Sequence, residues 1–263
     1  MRTHDAISII SQSIIDTGLC EAILLKGSFG RGDDDAFSDI DMYVVTSPEH
    51  YDAFLSKRYD CLLSYRDIVF SEENQFASLQ MLAIYDNGLH IDLYTTTQEK
   101  MNHSDPIKVC YDPNHLFSDY SYVHEPISQK ELVSHFHNVL YGFIEADSAF
   151  RRKNYPWTAR ILDHSLASAT ILLRSLVDPE YAFLGLKKAN EILPSDQYDL
   201  LVDAYANLHE GGFWHTNDIL MHSLELFLKG TPDTSGLNLK FYTWMQENIN
   251  QTLFPKSTVT SAH

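Results

Sequence analysis

Cysteine is scarce in this chain of 263 residues: Cys20, Cys61 and Cys110 are the only three, widely spaced, with no Cys-x-x-Cys pair. Neither a zinc site nor a disulfide framework follows from that pattern. With 11 Gly and 9 Pro, the chain is too poor in both for a collagen-like or low-complexity protein. Basic residues are also in short supply, 19 Lys and Arg against 36 Asp and Glu, for a formal net charge of −17. The lack of clustered Lys and Arg counts against a nucleic-acid backbone or an anionic membrane as partner. The excess of negative charge favours small cationic ligands. Long apolar runs are missing too; Ala22–Leu25 is typical and far short of a membrane span. No positively charged segment leads into an apolar stretch near residue 1, so no secretory signal is visible and the cytoplasm is the expected location.

What is present is material for a core: 44% of residues are hydrophobic and 12% aromatic. The pattern changes near residue 125, which predicts domains over 1–125 and 126–263. Before the change, short β-rich runs alternate with turns. A helix is expected over 5–16, strands over 21–26, 39–45, 79–85 and 89–95, and a long connection over 97–126. Asp86-Asn87-Gly88 between two of these strands is a hairpin signal. After the change, apolar residues recur at helical spacing, predicting helices near 128–151, 156–177, 180–191, 195–209, 215–229 and 238–252. Ser128 with Glu131 reads as a capping box.

The chemistry concentrates in residues 27–45 and 89–94. A strand ending at Gly27-Ser28 exposes backbone N–H groups and a hydroxyl where side-chain bulk is absent, a turn that can cradle a phosphate. After a spacer of ten residues beyond Ser28, a strand opens with Asp39-Ile40-Asp41. Alternate strand residues share a face, so both carboxylates project together while Ile40, Met42 and Val44 pack behind. Asp92, between Ile91 and Leu93, is a charge in an apolar strand, costly unless paired or coordinated. Were the two strands neighbours, three carboxylates would cluster. Oxygen-only ligands select a hard cation such as Mg²⁺, which is commonly shared with substrate phosphates. His90 lies on the same strand face as Asp92, bordering the site or facing solvent. Asp33, Asp34 and Asp35 read as a solvated turn.

This ordered set resembles the DNA polymerase β-like nucleotidyltransferase superfamily. With Arg31-Gly32 and Ser38-Asp39-Ile40-Asp41 it is similar to the bacterial enzymes that nucleotidylate aminoglycosides and lincosamides. The turn and helix from Arg151-Arg152-Lys153-Asn154-Tyr155 to Leu172-Leu173-Arg174 resemble a corresponding element of the lincosamide enzymes, matching at Arg152 and Tyr155, while Lys153 and Asn154 replace its Gly and Glu. The resemblance implies an α+β fold, a nucleotidyltransferase domain with a mixed sheet followed by a C-terminal helical bundle. It implies a Mg²⁺-dependent transfer of a nucleoside monophosphate, AMP from ATP or the equivalent from another NTP, to a hydroxyl of a small cationic acceptor, with release of pyrophosphate. Gly27, Ser28, Arg31, Ser38, Arg152 and Tyr155 would bind nucleotide. Asp39 and Asp41 would hold metal, and Asp92 would either complete that site or act as general base. Some relatives build the cleft across a homodimer. A protein or another metabolite as acceptor, and a nucleotide-binding antitoxin-like module without turnover, are the alternatives.

In the second half, Phe136, Leu140, Phe143, Asp147 and Phe150 share one helix face, with Glu145 roughly opposite. Asp147 then either lines a cleft as a substrate-binding acid or base, or pairs with a buried arginine such as Arg160 or Arg174. His135 and His137 are two apart on a helix and cannot share a face. Trp157, Trp214 and Trp244 are expected in the core or in a cleft wall.

Overall fold

The computed structural model describes residues 2–75, 78–123 and 125–249. It divides into two compact units, Met1–His124 and Glu125–His263.

The first unit runs α1 (Arg2–Asp16), β1 (Cys20–Leu25), α2 (Gly27–Arg31), β2 (Ile40–Thr46), α3 (Tyr51–Leu55), α4 (Arg58–Leu63), β3 (Ile68–Gln75), β4 (Leu79–Tyr85), β5 (His90–Thr96) and β6 (Lys108–Tyr111). The strands form one sheet in the order β3-β4-β5-β2-β1-β6. It is mixed: β2 and β5 are parallel, and the other pairs are antiparallel. Helix α1 buries Ala6, Ile7, Ile10 and Ile14, the i, i+3/i+4 stripe of an amphipathic helix. That stripe joins Ile23 and Leu25 of β1, Ile40, Met42 and Val44 of β2, and Ile91 and Leu93 of β5 in a core on one face of the sheet. The opposite face is covered in part by the connection after β5, whose Met101 and Phe117 pack on Ala22, Leu24 and Val45. Sandwiched between two cores, β1 is continuously apolar along Ala22–Leu25, whereas β2 alternates.

Two parts of the topology depart from the sequence reading. The connection expected over 97–126 contains β6, a four-residue edge strand with three exposed residues, too short and too little buried to show a period of two. Strand β3, absent from that reading, is the other edge and exposes Val69 and Phe70. The Asp86-Asn87-Gly88 turn does close a hairpin: Gly88 adopts φ 74°, and its N–H donates to the Tyr85 carbonyl at 2.8 Å.

The second unit comprises α5 (Gln129–Arg151), α6 (Tyr155–Ser175), α7 (Ala189–Ile192), α8 (Ser195–Ala206), α9 (Phe213–Gly230) and α10 (Leu239–Asn248), with 3-10 turns at Pro179–Leu184 and Glu210–Gly212. Its core is built from α5, α6 and α9 around Phe136, Phe143, Leu166, Leu173 and Phe227. The capping box opens α5, the Ser128 side chain accepting from the Glu131 N–H while Glu131 accepts from the Ser128 N–H. The segment expected as one helix over 180–191 is instead a 3-10 turn and a single helical turn. Buried Arg174 holds this segment by donating to the Gly185 and Lys187 carbonyls at 3.2 and 2.6 Å, and it pairs with Asp178. Of the helix expected over 238–252, residues 250–252 lie outside the described residues. The architecture is thus α+β, a mixed sheet with helices followed by a helical region.

Candidate active site

The parallel register sets Asp41 of β2 directly against Asp92 of β5. Alternation then puts both on the face of the sheet opposite α1, together with Tyr43 and Tyr94, whose rings stack at 4.4 Å. Asp39 stands one residue ahead of β2 and is exposed, rather than inside the strand as its spacing suggested. All three carboxylates act on one group. Burial first, then the charges of Asp92, Asp41 and Asp39, push the Tyr94 hydroxyl up to about 12. Tyr43 is pushed up by burial, and then by Tyr94, Asp41, Asp105 and Asp92. Asp92 has a further neighbour in His90, whose Nε2 is 3.2 Å from its Oδ1, so His90 borders the carboxylates.

Gly27-Ser28 does not run on as an open turn; it begins α2, a single helical turn. The Lys26 N–H donates to the Asp41 carbonyl at 3.0 Å and ties the end of β1 to β2. Gly27 follows with φ 58°, and a Cβ built on it would sit 2.1 Å from Asp41 Oδ2. Glycine is required there twice, by the left-handed backbone and by the carboxylate pressed against it. The Ser28 hydroxyl is buried and has no hydrogen-bond partner, a state that costs about 1–3 kcal/mol and that an arriving acceptor or donor would relieve. Gly30 is held as closely: its Cβ would lie 2.3 Å from the Pro106 carbonyl oxygen. Arg31 is partly exposed and 3.3 Å from Asp33. Ser38 closes the loop ahead of β2, accepting from the Asp35 N–H at 2.9 Å.

Lys26, Tyr43, Tyr94 and Asp105 belong to this site and were not singled out from the sequence. The two tyrosines were legible, since each stands two residues beyond an aspartate on a strand. Lys26 is almost fully buried, its Nζ donating to the Asn102 carbonyl at 2.6 Å, 4.0 Å from Asp105 and over the Tyr43 ring. Burial holds its pKa below the usual lysine range, against the pull of Asp105. Nothing in the sequence marked Asp105, which comes to Lys26 only through the path of the connection.

Among the described residues, no three His, Cys, Asp or Glu side chains are gathered into a formed metal cage. An oxygen-only set of neighbouring carboxylates beside an unsatisfied hydroxyl nevertheless fits Mg²⁺, which keeps several waters and is held by one or two carboxylates plus substrate phosphates. The residues that would hold it are Asp41 and Asp39, with the Ser28 hydroxyl next to Gly27 for a phosphate and Asp92 in register against Asp41. No family model matches the sequence, and no curated protein does. Solved structures are similar, among them an aminoglycoside 6-adenyltransferase from Bacillus subtilis, matched over 95% of this chain and 98% of its own, at 8% identity and a TM-score of 0.40.

The remaining sequence candidates belong to the second unit. Asp147 is buried and closed by Arg151, whose Nε and Nη2 donate to it at 2.7 and 2.9 Å. Of the two roles weighed for it, the pairing is what is seen, with an arginine one turn along the same helix rather than Arg160 or Arg174. Arg152 and Tyr155 flank the turn between α5 and α6, the former donating to Ser148 and the latter to Glu210. None of the three tryptophans is core: Trp157, Trp214 and Trp244 are each more than a third exposed.

Proposed function

We propose that this chain is a nucleotidyltransferase that moves a nucleoside monophosphate, AMP from ATP, onto a hydroxyl of a small cationic molecule of the aminoglycoside or lincosamide kind. The observation that carries the reading is the juxtaposition of Asp41 and Asp92 in parallel register, with Gly27 pressed on Asp41. In this reading Gly27 and Ser28, with Arg31 and Ser38 beside them, bind the β- and γ-phosphates, and the buried Ser28 hydroxyl finds its missing partner there. Asp39 and Asp41 would hold Mg²⁺, which when bound supplies charge stabilisation to the phosphoryl oxygens. Asp92 takes the proton of the acceptor hydroxyl, and the contact with His90 orients its carboxylate. The acceptor oxygen forms a bond to the α-phosphorus, the bond from that phosphorus to the bridging oxygen breaks, and pyrophosphate leaves with the electron pair.

The test is mass spectrometry after incubation with Mg²⁺, each NTP in turn and a pooled panel of both drug classes. An acceptor heavier by one nucleoside monophosphate, with pyrophosphate released, is the expected result. Pyrophosphate release with labelling of a protein instead would move the acceptor to a macromolecule. ATP binding with no pyrophosphate would leave a binding module.

A further inference from the structure

The second unit holds a cavity of about 370 Å³ between α5 and α6, within the range of small-ligand sites. Its origin is a close helix crossing. A Cβ on Gly142 would meet Ser165 Oγ at 2.1 Å, so the two helices converge at this point, and Gly142, Ile161 and Ser165 form a floor. The walls are less ordinary. Tyr141 rises from α5 and Trp157 from α6, 59% and 56% exposed, two large rings left in water on either side of one groove. Glu145, one turn beyond Tyr141, also lines it. It holds the Tyr141 hydroxyl proton above the usual tyrosine range, by its charge and a hydrogen bond. The one arginine in the lining, Arg160, is already occupied, donating to Asp163 at 2.6 Å. Among the described residues no cation of the chain is paired with Glu145.

Two ring faces and an unneutralised carboxylate around one hollow are a recognition set for a cation carried on a ring: the rings attract it through their negative faces, and the carboxylate adds a charge-assisted hydrogen bond. We infer that the α5–α6 groove binds a one- or two-ring organic ammonium compound, with Glu145 as the anionic contact and Tyr141 and Trp157 as its walls. This deepens the acceptor class proposed above and moves its anionic contact from Asp147, which Arg151 neutralises, to Glu145. Binding here is nonetheless measurable without turnover.

The probe is neamine, a two-ring amino sugar, against its fully N-acetylated neutral form, titrated into the full chain by calorimetry with no nucleotide present. Neamine should bind and the neutral form should not. Glu145→Gln should weaken neamine at least tenfold, and Trp157→Ala by a similar factor. Trp157→Phe keeps a ring and should bind nearly as the parent does, while any ligand-induced change in Trp157 fluorescence disappears. All three substitutions, at two exposed positions, should leave the melting temperature unchanged, which separates a lost contact from a lost fold. Equal binding by Glu145→Gln, or tighter binding of ATP than of neamine in this groove, overturns the inference. Ser28→Ala distinguishes the two readings. It should weaken ATP and spare neamine, so failure of one leaves the other standing.

Discussion

Gly27 carries no side chain, and Asp41 leaves no room for one. Alanine there has to adopt a left-handed backbone, at about 1–2 kcal/mol, and has to push the carboxylate aside as well. Gly27→Ala should therefore lower both stability, read by denaturant unfolding, and turnover, read by pyrophosphate release. Asp41→Asn separates the two: it keeps the shape and removes the charge, so turnover should fall about a thousand-fold or more with the unfolding midpoint nearly unchanged. Retained turnover in Asp41→Asn would remove the carboxylate pair from the reaction. His135 offers a pH test. Burial holds its pKa below 6.5, with His164 adding to that effect and Glu131 opposing it. The unfolded chain then takes up this proton at a higher pH than the folded one, so stability is lost as pH falls through about 6.5 and levels off below the folded value. Melting between about pH 7.5 and 5.5 should show that slope, and His135→Gln should flatten it.

At the level of elements, α2 is wedged between β1 and the connection, and Gly30 sets the gap. The atom facing it is a backbone carbonyl, which cannot rotate away as a side chain can. Gly30→Ala should thus destabilise by about 1–3 kcal/mol in spite of alanine's better helix propensity, as thermal melting would show. Much of this level was legible beforehand. Glycines at 27 and 88, the alternation around Asp41 and Asp92, and the helical stripes of α1 and α5 all state their roles locally. What stayed hidden depends on pairing across the chain: an edge strand such as β3 or β6 buries too little to show a period of two, and Asp105 meets Lys26 only because the connection folds back. Asp147 was hidden differently. Its place on an apolar stripe was correct, but the partner was a neighbour at i+4, which costs less to recruit than the remote arginines considered. The groove beside Glu145 was invisible because it depends on how closely α5 and α6 approach at Gly142.

For the molecule as a whole, the cores of the two units share no residue, and ligands of opposite charge are assigned to each. Chains built this way commonly depart from two-state unfolding. Scanning calorimetry should show two transitions, with Mg-ATP raising one and neamine the other, because a ligand stabilises the state it binds by mass action. A single transition shifted equally by both ligands would mean that the units unfold together. The charge of −17 adds an expectation for rates: a polycationic ligand should associate faster at low ionic strength, where the protein's field is unscreened.

The parallel pairing of β2 with β5 has a consequence in time. Asp41 and Asp92 are neighbours only after about fifty residues of intervening chain, including the β3–β4 hairpin, have been closed into a loop, and such long-range pairings form late and slowly. Local hairpins and α1 can be in place while the two carboxylates are still apart. On refolding, recovery of nucleotide binding should lag behind recovery of helical signal, so that competence at this site marks the completion of the first unit rather than its beginning.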